Sequence, residues 1–120
     1  MRILVVDDDA MVQQVCQGML RALNHASVVV SDATAAVQHL TDSSQSFDCI
    51  ILDNGLPRLS GLELMAVLRE WNMLIPVILI SGGPPIAQAD GTGAEFSQFE
   101  FLAKPFTLLE LNAALERIQG

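Results

Sequence analysis

The stretch that decides the fold runs Cys49-Ile50-Ile51-Leu52-Asp53-Asn54-Gly55-Leu56-Pro57. Its four leading apolar residues are too few for a helix and end in an acid, which predicts a buried parallel strand. Gly55 and Pro57 then turn the chain away from this strand. Because ligands bind at the carboxyl edge of open α/β sheets, we expect Asp53 to face a crevice.

Four other short apolar runs predict strands, at residues 3–6, 27–31, 77–80 and 99–102. Helical spacing lies between most of them. After the first run, apolar residues recur every four positions as one stripe, and Asp9 is suited to cap that helix. The stripe consists of Met11, Val15, Met19 and Leu23. Asp32 precedes a second helix, Ser60 can cap a third, and residues 108–118 form a last amphipathic helix.

Strands that alternate with helices predict a doubly wound parallel sheet, because parallel neighbours need right-handed helical crossovers. The 120 residues hold no linker and no repeat, so we expect one α/β domain over residues 1–120 with a five-stranded parallel sheet flanked by helices. The alternation of strands and helices is weak at one place. Two prolines precede residues 86–93, and Gly91 and Gly93 lie near the end of that segment, so helix 4 is predicted to be short or irregular.

The charge balance excludes several classes of partner. Fourteen acids against six bases give a net charge of −8 without any basic cluster, which argues against binding to nucleic acid or an anionic membrane. No apolar run approaches a membrane span and no signal peptide precedes the first strand, so we expect a cytoplasmic protein. Cys16 and Cys49 lack redox or metal-ligand spacing and are predicted to be buried, reduced thiols.

Polar side chains follow the predicted strands at their carboxyl ends, which meet at one edge of a parallel sheet. These residues are Asp7, Asp8, Asp53, Ser81 and Lys104. Carboxylates at close quarters repel one another, and a hard divalent cation with oxygen ligands relieves that repulsion. The sequence therefore predicts a Mg²⁺ site at this edge, with a hydroxyl and an ammonium group beside it that would complete a phosphate pocket.

Together these residues resemble the receiver domain of two-component response regulators, the CheY-like superfamily. The resemblance rests on the acid pair after Val5-Val6, the turn from Asp53 to Gly61, Ser81 after the fourth strand, and Lys104-Pro105, and it spans essentially the whole chain. It implies a flavodoxin-like sheet of strand order 2-1-3-4-5. It also implies a protein of phosphorelay signalling, phosphorylated by a sensor histidine kinase or a histidine phosphotransfer protein.

The family's roles carry over to matching positions. Asp53 corresponds to the phosphoacceptor, and Asp8, Asp53 and the backbone carbonyl of Gly55 to the Mg²⁺ ligands, while Asp7 would act through bound water. Lys104 and the Ser81 hydroxyl would each meet a phosphoryl oxygen. Such a domain promotes its own phosphorylation and dephosphorylation without being a conventional enzyme.

The resemblance also implies a switch. Ser81 would be drawn towards the phosphoryl group, Phe101 would enter the vacated space, and the face of helix 4, strand 5 and helix 5 would change for a downstream output domain or effector protein. Two of the departures from the family pattern concern this face. Gly82 follows Ser81 where a small side chain is usual, and residues 70–103 contain no Lys or Arg, so the charge-paired dimer through that face is not expected.

Two rival functions remain open. A pseudo-receiver would bind partners through a vestigial site, although every charged site position is filled. A haloacid-dehalogenase-like phosphatase would use the Asp-x-Asp of residues 7–9 with Asp7 as nucleophile, but no cap or larger catalytic domain accompanies it. The start Met1-Arg2-Ile3 fits a natural amino terminus, and the sequence does not reveal whether an output domain follows Gly120.

Overall fold

The computed structural model describes residues 1–42, 44–56, 60–73, 75–82 and 99–119. Its strands form one parallel sheet in the order β2-β1-β3-β4-β5. The strands are β1 (Arg2–Val6), β2 (Ala26–Val30), β3 (Cys49–Asp53), β4 (Val77–Ser81) and β5 (Phe99–Ala103). The predicted sheet and its strand order are therefore confirmed.

Four helices are described: α1 (Ala10–Ala22), α2 (Ala33–Thr41), α3 (Gly61–Glu70) and α4 (Leu108–Gln119). The last of these is helix 5 of the sequence prediction. The short or irregular helix 4 predicted over residues 86–93 lies outside the described residues. In the described part of the chain, no helix is long and apolar enough to cross a membrane.

Side-chain caps start all four of these helices, because the first backbone N–H groups of a helix have no partner within it. At α4, Thr107 Oγ1 accepts a hydrogen bond from the Glu110 amide, and Glu110 Oε1 accepts one from the Thr107 amide. Asp9 accepts hydrogen bonds from the amides of Met11 and Val12, and Asp32 accepts one from Ala35. Ser60 and Glu63 form a reciprocal capping box at α3. The predicted caps Asp9 and Ser60 are thus confirmed.

The pleat of the sheet sorts the core into two layers, since successive strand side chains point to opposite faces. Even-numbered residues of β1, such as Leu4, pack with α2 and α3, whereas odd-numbered ones, such as Ile3, pack with α1 and α4. In β3, Leu52 belongs to the first layer and Ile51 to the second. Both faces of the sheet are therefore covered, as expected for a parallel sheet.

The predicted apolar stripe of α1 is wrong in its first half. Met11 is 73% exposed and Val15 is 46% exposed, while the buried residues of α1 are Cys16 and Leu20. A repeat of four residues advances by about 40° beyond each helical turn, so the stripe winds around the helix and does not stay on one face. Only its later part, with Met19 and Leu23, packs against the core.

Candidate functional site

The carboxyl edge of the sheet brings together three acids and one base. Asp7 follows β1, Asp53 ends β3, and Lys104 follows β5. The Lys104 Nζ atom lies 3.1 Å from Asp7 Oδ2 and 3.4 Å from Asp53 Oδ1. The exposed Asp8 completes the acidic group, in which one carboxylate oxygen of Asp7, Asp8 and Asp53 each lies within 4.8 Å of the others. We call these three residues the acidic cluster.

Asp7 is the buried member of the acidic cluster, with no exposed surface. Burial raises the pKa of its carboxyl, because the charged form loses hydration; the Asp9 amide and Lys104 oppose this shift, and the charge of Asp53 adds to it. Asp7 Oδ1 accepts a hydrogen bond from the Asp9 amide at 2.9 Å. The side chain of Asp7 therefore stabilises the turn that follows β1.

Lys104 is held in place by its backbone as well as by its charge. Its amide donates to the carbonyl oxygen of Ser81 at 2.9 Å, which ties the end of β5 to the end of β4. Burial alone would lower the pKa of its ammonium, but Asp7 and Asp53 outweigh burial and raise it. Lys104 is thus a fixed positive charge facing two carboxylates.

Asp53 is 5% exposed and is held by the turn that follows it. Its Oδ1 accepts a hydrogen bond from the Gly55 amide at 3.0 Å, and the Asn54 amide donates to the Ile80 carbonyl at 2.9 Å. The start of α3 packs directly on this turn. A Cβ atom on Gly61 would lie 2.8 Å from the carbonyl oxygen of Asp53, closer than such atoms approach.

The acidic cluster fits a hard divalent cation. Mg²⁺ takes oxygen ligands in an octahedron and keeps several waters, so it needs only a few protein oxygens at close range. Among the described residues, the buried Asp7 Oδ2 makes no hydrogen bond of good geometry beyond its ion pair with Lys104. Asp7 Oδ2 therefore keeps acceptor capacity, which a metal-bound water would use.

The other predicted site residues lie at the same edge, but their roles stay predictions. Ser81 ends β4, and Gly55 is exposed beside the Asp53 carboxylate. Phe101 is half-buried and packs with the layer under α2 and α3. Phe101 pairs with Leu79 in the sheet. Leu79 lies two residues before Ser81, so all three side chains point to the same face. Pro57 lies outside the described residues.

Sequence reasoning missed Gln13. Its Nε2 atom donates to the carbonyl oxygen of Asp7 at 2.5 Å and to Ser31 Oγ at 3.1 Å. A glutamine in the first turn of a helix after an acid pair only weakly predicts a contact with that turn, because the neighbouring Gln14 could make the same hydrogen bonds. Only helical phase separates the two residues, and Gln14 is exposed.

The comparisons with known proteins agree on one family. The family model described as the response regulator receiver domain matches residues 3–116. Response regulator protein PmrA of Pseudomonas aeruginosa is 34% identical over 118 residues, which cover 98% of this chain and 52% of that protein. Transcriptional regulatory protein PmrA of Pectobacterium parmentieri is 32% identical, with 98% and 52% covered. The chain thus spans about half the length of these relatives.

Solved structures are similar over the whole described sheet. The Francisella response regulator 1452 receiver domain is 25% identical with a TM-score of 0.83, covering 98% of this chain and 96% of that one. The receiver domain of sensor histidine kinase PA1611 from Pseudomonas aeruginosa is 29% identical with a TM-score of 0.79, covering 99% and 98%. That structure has a magnesium ion coordinated in its active site cleft.

Proposed function

The chain belongs to the response regulator receiver domain family, and we propose that it accepts a phosphoryl group on Asp53 from a sensor histidine kinase or a histidine phosphotransfer protein. The observation that carries this proposal is the contact set of Asp53. Its nearly buried carboxylate lies 3.4 Å from the Lys104 ammonium and beside the carboxylates of Asp7 and Asp8. A carboxylate in such a setting can act as a nucleophile, with the Lys104 ammonium beside it to pair with the phosphoryl group that it receives.

Mg²⁺ is the proposed cofactor, held directly by Asp8, Asp53 and the Gly55 carbonyl and through water by Asp7. Bound there, the ion would supply positive charge that offsets the repulsion between the carboxylates and an incoming phosphoryl group. The exposure of Asp8 and the burial of Asp7 support this division, because direct ligation needs an oxygen that reaches the opening of the site. The magnesium ion coordinated in the active site cleft of the similar PA1611 receiver supports magnesium as the metal.

The proposed transfer uses groups already in position. One Asp53 carboxylate oxygen attacks the phosphorus of a phosphohistidine, an O–P bond forms, and the P–N bond breaks with its electron pair left on the ring nitrogen, which then takes a proton. Lys104 would pair with one phosphoryl oxygen, and the Ser81 hydroxyl would donate to another. The role is therefore that of a phosphoacceptor that assists its own modification, and not that of a conventional enzyme.

The surface beside Lys104 suits the approach of a phosphodonor. A hollow of about 370 Å³ lies there, lined by Met11, Val12, Val15, Lys104, Pro105 and Phe106. Its lining is apolar except for Lys104, and exposed apolar side chains in one patch are typical of a protein-binding surface. A donor protein that brings a histidine to Asp53 would pass over this hollow, so we propose that the donor packs on it.

The proposed output is a change of the face formed by the predicted helix 4, β5 and α4, the last being helix 5 of the sequence prediction. A phosphoryl group adds roughly −1.5 to −2 charges, which would draw the Ser81 hydroxyl towards it. Phe101 lies diagonal to Ser81 on the same face of neighbouring strands, where its ring would respond to a movement of the Ser81 side chain. A downstream output domain or effector protein would read the changed face around β5 and α4. Identical Phe101 ring positions in free and beryllofluoride-bound protein would contradict this switch.

We do not expect phosphorylation to drive a charge-paired dimer through that face. Arg117 of α4 is already paired with Glu100 of β5, with Nε 2.6 Å from Oε1. No Lys or Arg lies between residues 70 and 103 to pair with another copy. Sedimentation that shows phosphorylation-dependent dimers disrupted by Arg117→Ala would contradict this expectation.

The test of the function is intact-protein mass after incubation with Mg²⁺ and acetyl phosphate. One phosphoryl adduct is expected in the unaltered protein, and none in Asp53→Asn or without metal. No adduct from acetyl phosphate or from a phosphorylated histidine phosphotransfer protein would favour a pseudo-receiver. An adduct or phosphomonoester turnover lost in Asp7→Asn but kept in Asp53→Asn would instead favour the phosphatase reading.

A further inference from the structure

Gln13 joins two loops at the carboxyl edge of the sheet. One amide nitrogen, Nε2, reaches the Asp7 carbonyl oxygen at 2.5 Å and Ser31 Oγ at 3.1 Å. The first acceptor precedes Asp8 in the acidic cluster, and the second lies in the turn after β2. Because a carbonyl oxygen can only accept, the side-chain nitrogen of Gln13 must be the atom that faces it.

Helix geometry explains why this residue reaches that carbonyl. Gln13 lies in the first turn of α1, where its amide donates to the Asp9 carbonyl at 3.0 Å. Side chains in a helix lean towards its amino terminus, so a long side chain at this position extends back over the turn that contains the acidic cluster. The half-buried position of Gln13 fits this placement.

Within the acidic cluster, the Asp8 side chain is the least restrained by burial and contacts. Asp7 is buried and touches Lys104, and Asp53 is fixed by the Gly55 amide. Asp8 is exposed, so its direction depends on the backbone from which it projects. The Asp7 carbonyl and the Asp8 amide belong to one planar peptide unit. A hydrogen bond to that carbonyl therefore fixes one of the two planes that meet at the Asp8 Cα atom.

We propose that Gln13 is a positioning residue that sets the Mg²⁺ affinity of the acidic cluster by fixing the Asp7–Asp8 peptide, with Ser31 as its anchor. The inference rests on the proposed Mg²⁺ site and deepens it. Residues that orient metal ligands without touching the metal change affinity when they are removed, typically by about tenfold or more. Gln13 would act in this way through the backbone.

The test compares Gln13→Met with Gln14→Met. Methionine keeps the length of the side chain and removes both N–H donors, and Gln14 is the exposed neighbour on the same helix. Titration calorimetry should show Mg²⁺ binding weakened roughly tenfold in Gln13→Met and unchanged in Gln14→Met. In the metal-free protein, hydrogen exchange of the Asp9 amide, which donates to Asp7 Oδ1, should be faster in Gln13→Met alone.

Ser31→Ala is the second variant, and it decides the question if Gln13→Met does not fold. It keeps the Gln13 contact with Asp7 but removes the anchor, so a smaller weakening, of about threefold, is expected from the loss of one neutral hydrogen bond. Equal Mg²⁺ affinities in the unaltered protein and in both variants would overturn the positioning role alone. Absence of Mg²⁺ binding by the unaltered protein would overturn the proposed metal site together with it.

Discussion

Replacing Gly61 by alanine should strain the joint between α3 and β3, the strand that ends at Asp53. The added Cβ atom would lie 2.8 Å from the Asp53 carbonyl oxygen, 2.9 Å from Asn54 Cα and 2.9 Å from Leu79 Cδ1. Ordinary contacts between carbon atoms are about 3.5–4.0 Å. Two of the three atoms are backbone atoms, so the start of α3 must move away from β3 by roughly half an ångström or more to restore such contacts.

The cost follows from that displacement. Overpacking a tight site costs about 1–3 kcal/mol, and alanine returns at most about 1 kcal/mol through its better helix propensity. We therefore expect a net loss of roughly 1–2 kcal/mol in the free energy of unfolding. Because Asp53 shares the strained turn, phosphorylation by acetyl phosphate should also slow, by about tenfold for a displacement of this size.

Gly18 supplies the matched control. It lies inside α1, it is exposed, and a Cβ atom there would have open space. Gly18→Ala should stabilise the protein by about 0.5–1 kcal/mol, since alanine loses less backbone entropy in a helix. Urea unfolding followed by circular dichroism measures both variants. If Gly61→Ala is as stable as Gly18→Ala and is phosphorylated at the normal rate, the steric reasoning is refuted.

Three further predictions concern charge and thiols. Lys104→Met should cost about 1–3 kcal/mol, because it leaves the buried Asp7 carboxylate without its partner, whereas Arg117→Met in an exposed pair should cost under about 1 kcal/mol. Equal losses in urea unfolding would contradict this. The side chains of Gln45 and Ser44 lower the pKa of Asp42 to about 2, so its contribution to stability is present above the unfolded pKa of about 3.9 and is lost as the pH falls towards 2. Asp42→Asn should flatten the stability profile in that window. Burial raises the pKa of Cys16 to about 11 and that of Cys49 to about 12, so neither thiol should react with a disulfide reagent at pH 8 until urea unfolds the chain.

The strands and caps were predictable because their signals are local. A short apolar run that ends in an acid, as at Asp53, and a Ser60 three residues before Glu63 carry their meaning within a few residues. The proximity of Asp7, Asp53 and Lys104 was predictable from the predicted topology, because the topology fixes which strand ends are neighbours.

Features set by helical phase and close packing were not predictable. The stripe that begins at Met11 looked core-facing, but a four-residue period does not match the helix, and the sequence alone does not say where the stripe meets the sheet. For the same reason, the sequence does not show which of Gln13 and Gln14 faces the Asp7 carbonyl, because that depends on the rotation of α1 about its axis. The close approach at Gly61 depends on how α3 sits on β3, which no local pattern encodes.

The alternation of the strands explains how one site could both take up a phosphoryl group and report it. Asp7, Asp53 and Lys104 each lie two residues after a core residue of the layer under α1 and α4, so their side chains point to that face of the sheet. Those core residues are Val5, Ile51 and Leu102. The ion pairs of Lys104 with both acids agree with that placement. Ser81 and Phe101 point to the other face and share the layer of Leu79, under α2 and α3. Charge added at Asp53 would therefore have to act across the sheet edge, and in the proposed switch Ser81 would connect the two faces.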